Sequence, residues 1–153
     1  MNFDACRLRA DEREDLLAQQ DECTISWMND AGWPVSVVQT YVWARGAFWV
    51  TAFQDKPRVD RLRADQRAAV AVSSKGTSVG PERMASARVI ATVHDDESTA
   101  SWFYPAFAAR LTPDEKARDQ FAGMLGKQDR VVIELRPVSW TTFDGVRLRT
   151  RRS

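Results

Sequence analysis

Ala31-Gly32-Trp33-Pro34-Val35-Ser36-Val37-Val38-Gln39-Thr40-Tyr41-Val42-Trp43-Ala44-Arg45-Gly46-Ala47-Phe48-Trp49-Val50-Thr51-Ala52-Phe53 carries one charge, at Arg45, in a run dense in Val, Trp, Tyr, Phe and Thr. Such residues suit a pleated surface buried on one or both faces. The run divides at Ala44-Arg45-Gly46, where glycine makes positive φ easy, into strands over residues 35–43 and 47–53 that form a hairpin. The stretch before it, 23–28, alternates in the same way and is set off by the turn residues Asn29-Asp30-Ala31-Gly32. Three sequential antiparallel strands result, and they form the core.

Working outward, residues 10–20 read as a polar helix anchored by Leu16 and Leu17. Asp55-Lys56-Pro57-Arg58 marks a helix start, with Asp as the cap, Pro in the first turn, and Val59 and Leu62 turned inward. Residues 67–73 and 84–93 are strand-like and joined by a small polar linker. Residues 97–110 place Trp102, Phe103 and Phe107 at helical spacing, with Pro105 expected to break or kink the helix. Thr112-Pro113-Asp114-Glu115 predicts a capping box opening a helix toward Gly126. A strand over 130–136 and a weaker one near 139–143 precede a tail with four Arg in its last seven residues. Strands do not alternate with helices, so a mainly β, mostly antiparallel sheet closed into a small barrel with helices at its edges is expected.

The chain of 153 residues, 44% apolar and 28% charged, fits a single domain over 1–153. Twenty-two basic against 21 acidic side chains leave a net charge of +1. No overall positive field draws nucleic acid or anionic lipid, so any anion site is local. Contact with nucleic acid through the arginine tail is a weaker alternative, predicting steeply salt-dependent binding. Cys6 and Cys23 lack disulfide-framework or zinc spacing, which points to a reduced, cytoplasmic setting. The acidic first 20 residues do not match a signal peptide, and no apolar run reaches the length of a membrane span.

One histidine excludes a His-rich metal site, and no GxSxG, GxxxxGK[ST] or GxGxxG occurs. His94, before Asp95-Asp96-Glu97, reads as a solvated turn residue, the acidic trio as a helix cap, and Cys23 as a small core residue. Thr51, Lys56 and Arg58 gather where a buried strand meets a helix start. A hydroxyl, two cations and free backbone N–H groups suit a phosphate monoester, though a solvated basic helix accounts for the same pattern, since Arg61 and Arg63 follow.

Phe48-Trp49-Val50-Thr51 followed by the segment Lys56 through Val70 resembles the pyridoxamine 5'-phosphate oxidase-like split barrels, including their general stress protein-like members. Pro34 with Gly46, residues 88–96 and residues 131–137 fit the same order. The likeness spans about residues 12–145, leaving 146–153 as a basic tail. It implies a six-stranded antiparallel split β-barrel with flanking helices, a homodimer, and FMN at the subunit interface. By position, Thr51 would donate to the FMN phosphate and Arg58, with Lys56, would pair with its charge. Val50 would line the same strand, and Val38, Gln39 and Thr40 would run beside the isoalloxazine ring. Arg147 and Arg151 would reach the cofactor across the dimer, unless the tail is simply frayed. Val37 and Val42 stand where vitamin-processing members carry basic residues, and Met84 where they carry Gln, so the name-giving activity is not implied.

The resemblance therefore implies a flavin-dependent oxidoreductase acting on a small apolar or aromatic substrate or electron donor. The alternatives are a non-catalytic flavin-binding or stress-associated dimer, and a deazaflavin-dependent reductase. Haem is disfavoured by the position of His94, the single histidine.

Overall fold

Arg45 and Gly46 both adopt positive φ, 54° and 70°. This is the two-residue type I′ turn whose twist matches that of paired strands. In the computed structural model, which describes residues 3–150, the turn joins β3 (Val42–Ala44) to β4 (Ala47–Phe53). The hairpin expected over 35–43 and 47–53 is shorter than its sequence suggests, because only 42–44 pair with 47–49. Before Tyr41 the chain belongs to β2 (Pro34–Thr40), which pairs instead with β1 (Glu22–Met28).

Tyr41 fixes that change of partner. It is fully buried, its N–H donates to the Asp21 carbonyl (3.1 Å) and its hydroxyl to the Leu17 carbonyl (2.6 Å). Leu17 lies on α1 (Ala10–Gln19), whose Leu16 and Leu17 are buried as expected. The remaining elements are α2 (Pro57–Ala64), β5 (Arg67–Ser73), β6 (Arg83–His94), α3 (Glu97–Leu111), α4 (Glu115–Gly126), β7 (Arg130–Asp144) and α5 (Gly145–Thr150).

The strands form one antiparallel sheet in the order β2-β1-β5-β6-β7-β4-β3. Its two outermost strands, β2 and β3, are consecutive in the chain with Tyr41 alone between them. The sheet must therefore curl until its ends meet, giving a barrel that stays open where β2 diverges from β4. The architecture is the expected mainly β split barrel with flanking helices. Seven strands replace the six anticipated, because the segment 34–44 is divided at Tyr41.

Two cores explain why β4 is buried at six consecutive positions. Phe48, Val50 and Ala52 point into the barrel with Ile25, Val70, Val89 and Leu135. Ala47 and Trp49 face outward, against Phe103, Tyr104 and Phe107 of α3 and Leu125 of α4. The alternation of a strand thus serves both cores. The same packing keeps α3 continuous through Pro105, where the sequence suggested a break or a kink.

Helix ends differ from expectation in detail. Asp96 caps α3, accepting from the Thr99 N–H at 2.8 Å, as the acidic trio suggested. Asp114 rather than Thr112 caps α4, accepting from the Ala117 N–H at 2.7 Å. Thr112 ends α3 instead, which puts Pro113 outside the helix. Pro57 opens α2 as predicted, but Lys56 holds the cap position, not Asp55, and no side chain caps it. The two strands expected after residue 130 are one, because an irregularity opposite Arg88 and Val89 accommodates Pro137 and leaves Val138 63% exposed. No helix among the described residues is long and apolar enough to cross a membrane.

Candidate functional site

The divergence of β2 from β4 leaves facing strand edges that no strand among the described residues pairs with, and four of the candidate residues collect there. Continuing the β3–β4 register would set Thr40 opposite Thr51. Because β2 turns away to β1, a cleft of about 280 Å³ opens instead, lined by Gln39, Thr40, Thr51, Arg58 and Arg130 and walled by Phe107, Phe121, Met124 and Leu125. The Gln39 amide nitrogen donates to the Thr51 carbonyl (3.3 Å). Its Oε1 is buried without a hydrogen-bond partner, an arrangement that costs free energy unless a donor arrives. The Thr51 hydroxyl donates to the Val131 carbonyl (2.9 Å), so the donor expected to face a phosphate is engaged within the sheet.

Arg58 lines both this cleft and a second one of about 330 Å³. The second cleft runs between α2 and the β1–β2 hairpin and contains Lys56, Val35, Ser36 and Val37. Arg130, the first residue of β7, sits opposite Phe53 in the β4–β7 register. Its guanidinium lies over the Phe53 ring (4.0 Å) and donates through Nε to Gln128 Oε1 (2.6 Å). Among the described residues neither Arg58 nor Arg130 has a carboxylate within 4.0 Å. Burial, and after it the neighbouring Arg130 cation, lowers the pKa of Arg58. Cations brought together in a partly buried cleft without an acid form a place for an anion.

The other sequence candidates disperse. Val38 is 61% exposed on the outer face of β2, in a separate cleft of about 470 Å³ that also contains Cys23, Thr24 and Met84. The Val50 side chain points into the barrel core, so only its backbone remains for a ligand. Arg147 is held within its own chain, donating to Glu12 and to the Arg7 carbonyl. Asp144 beside it is paired with Arg83, Nε to Oδ2 3.2 Å. Arg151 lies outside the described residues. Burial pushes the Cys23 thiol up to about 12, in keeping with a core role.

His94 corrects an expectation. It is half-buried at the end of β6, its Nε2 3.0 Å from Glu134 Oε2 and its Nδ1 3.5 Å from Asp96 Oδ1, with the Trp49 ring 5.5 Å away. It borders an acidic cleft with Asp95 and Glu97, not the split. Arg130 was missed by sequence reasoning. It is basic and opens a predicted strand, but nothing local says that this strand lies against β4 some eighty residues earlier.

No protein-family model matches the sequence, and no curated protein does. Solved structures do match. The conserved hypothetical protein Rv2991 from Mycobacterium tuberculosis superposes with a TM-score of 0.83 at 16% identity, covering 97% of this chain and 92% of that one. An F420 reductase gives 0.61 at 18% identity, covering 84% and 94%. HutZ, a haem storage protein from Vibrio cholerae, gives 0.62 at 11% identity, covering 88% and 94%. The fold is the split barrel of the pyridoxamine 5'-phosphate oxidase-like proteins.

Proposed function

We propose that the chain is a flavin-binding split-barrel oxidoreductase, with FMN seated in the split between β2 and β4. The observation that carries this reading is the convergence there of Gln39, Thr40, Thr51 and Arg58, beside a helix start bearing Lys56. The residues fit the group. The orphaned Gln39 Oε1 supplies an acceptor for the imide N–H of an isoalloxazine ring. Thr40 and the open edge of β2 offer further polar groups, and Val38 and the Val50 backbone lie on the two strands that bound the split. Lys56 and Arg58 offer the charge that a doubly ionised phosphate requires. A bound flavin would supply electron or hydride transfer. This chain's residues hold, orient and partly desolvate it, and no side-chain acid or base is needed. The name F420 reductase among proteins of this fold supports flavin-type chemistry and leaves deazaflavin as the variant reading.

A homodimer belongs to the proposal. Val38 on β2, and Met28 and Trp33 at the β1–β2 turn, are 61%, 45% and 70% exposed, apolar side chains that a second copy of the chain would cover. Light scattering of the purified protein gives twice the mass of one chain if the reading holds. The absorbance spectrum tests the cofactor. Oxidised-flavin bands in the isolated protein, or after FMN is added and excess removed, support the proposal. A Soret band, or a protein that takes up no flavin, overturns it.

A further inference from the structure

We propose that Arg130 grips the phosphate of a bound flavin together with Arg58, so that the chain selects phosphorylated flavin over riboflavin. The inference rests on the flavin reading and adds to the same site a residue from far along the chain. Strand register brings it there. Arg130 lies opposite Phe53, the last residue of β4, just before Lys56 and the start of α2. Its guanidinium is held in place, with Nε donating to Gln128 Oε1 at 2.6 Å and the Phe53 ring 4.0 Å away. Among the described residues no hydrogen bond engages its two terminal nitrogens, and none engages the side chain of Arg58. By contrast, Arg61, Arg83, Arg110 and Arg147 each donate to a carbonyl or a carboxylate of the chain.

Two like charges sharing a partly buried cleft repel each other. Burial and then Arg130 lower the proton affinity of Arg58, a cost that an anion placed between them removes. Position decides which cations matter most. Lys56 is exposed, so water and salt screen its ammonium, whereas Arg58 and Arg130 are both half-buried, where a charge contact counts for more. Val37, on the α2 side of Arg58, brings no charge. Arg130 therefore supplies the second well-desolvated cation, from the β7 side. The forked N–H donors of a guanidinium match two phosphate oxygens at once, which an ammonium cannot do. A phosphate monoester, with three acceptor oxygens and a charge of about −1.5 to −2, has oxygens for both forks.

Calorimetric titration with FMN and with riboflavin, which lacks the phosphate, tests the assignment. Arg130→Gln should weaken FMN about 10- to 100-fold, the range for a hydrogen-bonded charge, and leave riboflavin unchanged. Arg130→Lys, which keeps the charge and loses the fork, should retain part of the preference for FMN. Urea denaturation checks that the variants fold, and Arg130→Lys carries the test if Arg130→Gln does not. Unchanged FMN affinity in Arg130→Gln, or equal weakening of FMN and riboflavin, would overturn the proposal. If the parent binds neither flavin, the flavin reading fails, and inorganic phosphate decides the rest. A rise in melting temperature with phosphate that Arg130→Gln abolishes would keep the anion grip, whereas no rise, or the same rise in both proteins, would overturn that as well.

Discussion

The two ends of β7 treat charge in opposite ways. At the last residue, Asp144 is 3% exposed and Glu12 7%. Arg83 and Arg147 reach Asp144, while Arg9, Arg83 and Arg147 reach Glu12. Every buried acid there has cations of its own chain, and the cluster ties the segment before α1 to α5. At the first residue, Arg130 lies near Arg58, and among the described residues no carboxylate is within 4.0 Å of either. One end spends its charges on holding the fold. On the proposed reading the other keeps them for a ligand, which is how a binding site would differ from a brace.

The comparison breaks most sharply on single charge removals. Asp144→Ala leaves Arg83 and Arg147 to share Glu12 alone, and it should cost about 3 kcal/mol of stability in urea denaturation, the scale for breaking a buried pair. Arg58→Ala should instead weaken FMN binding by about 1.5–3 kcal/mol. It should leave unfolding stability within about 0.5 kcal/mol of the parent, or raise it, since a like-charge contact is relieved. If Arg58→Ala destabilised the fold as strongly as Asp144→Ala, the contrast would disappear.

Acid titration sharpens the same contrast. Burial alone would raise the pKa of Glu12, but hydrogen bonds from the Arg9 N–H and from Arg147 outweigh it and hold the carboxyl below its ordinary value. The unfolded chain therefore takes up a proton at Glu12 before the folded one does. The stabilisation is complete above the ordinary glutamate value of about 4.3 and is lost as pH falls through the lower folded value. Glu12→Gln should flatten this acid limb of the stability profile, while Arg58→Ala should leave it unchanged.

The smallest expected effect is ionic. Inorganic phosphate at a concentration equal to its dissociation constant adds about 0.4 kcal/mol, or about 1–2 °C in melting temperature for a domain of this size. Differential scanning fluorimetry should show that rise in the parent and none in Arg58→Ala.

The hairpin turn, both α1 anchors, Pro57 at the start of α2 and the run at 67–73 were legible because each is written in neighbouring residues. The split was not. Tyr41 reads as one more strand residue, and its role depends on carbonyls of Asp21 and Leu17, which no local pattern reveals. Thr112 and Asp114 compete for one cap, and Thr112 is taken up as the end of α3. In the candidate site, Thr51, Arg58 and Gln39 were visible through motif and resemblance. Arg130 was hidden because strand register alone brings it beside Phe53. The self-contained pairing of Arg147 was hidden for the same reason, since Glu12 is 135 positions away.

The place of β7 in the strand order bears on how the molecule is made. It is the bridge between β6 and β4; without it the sheet falls into a four-stranded piece and an isolated hairpin. Because the bridge is encoded after every strand it joins, a nascent chain emerging from the ribosome has no route to the closed barrel until that segment is released. Until then Phe48, Val50 and Ala52, which point into the barrel, lack the Leu135, Ile133 and Val131 set opposite them, and a helper that shields apolar edges would find its client in that interval.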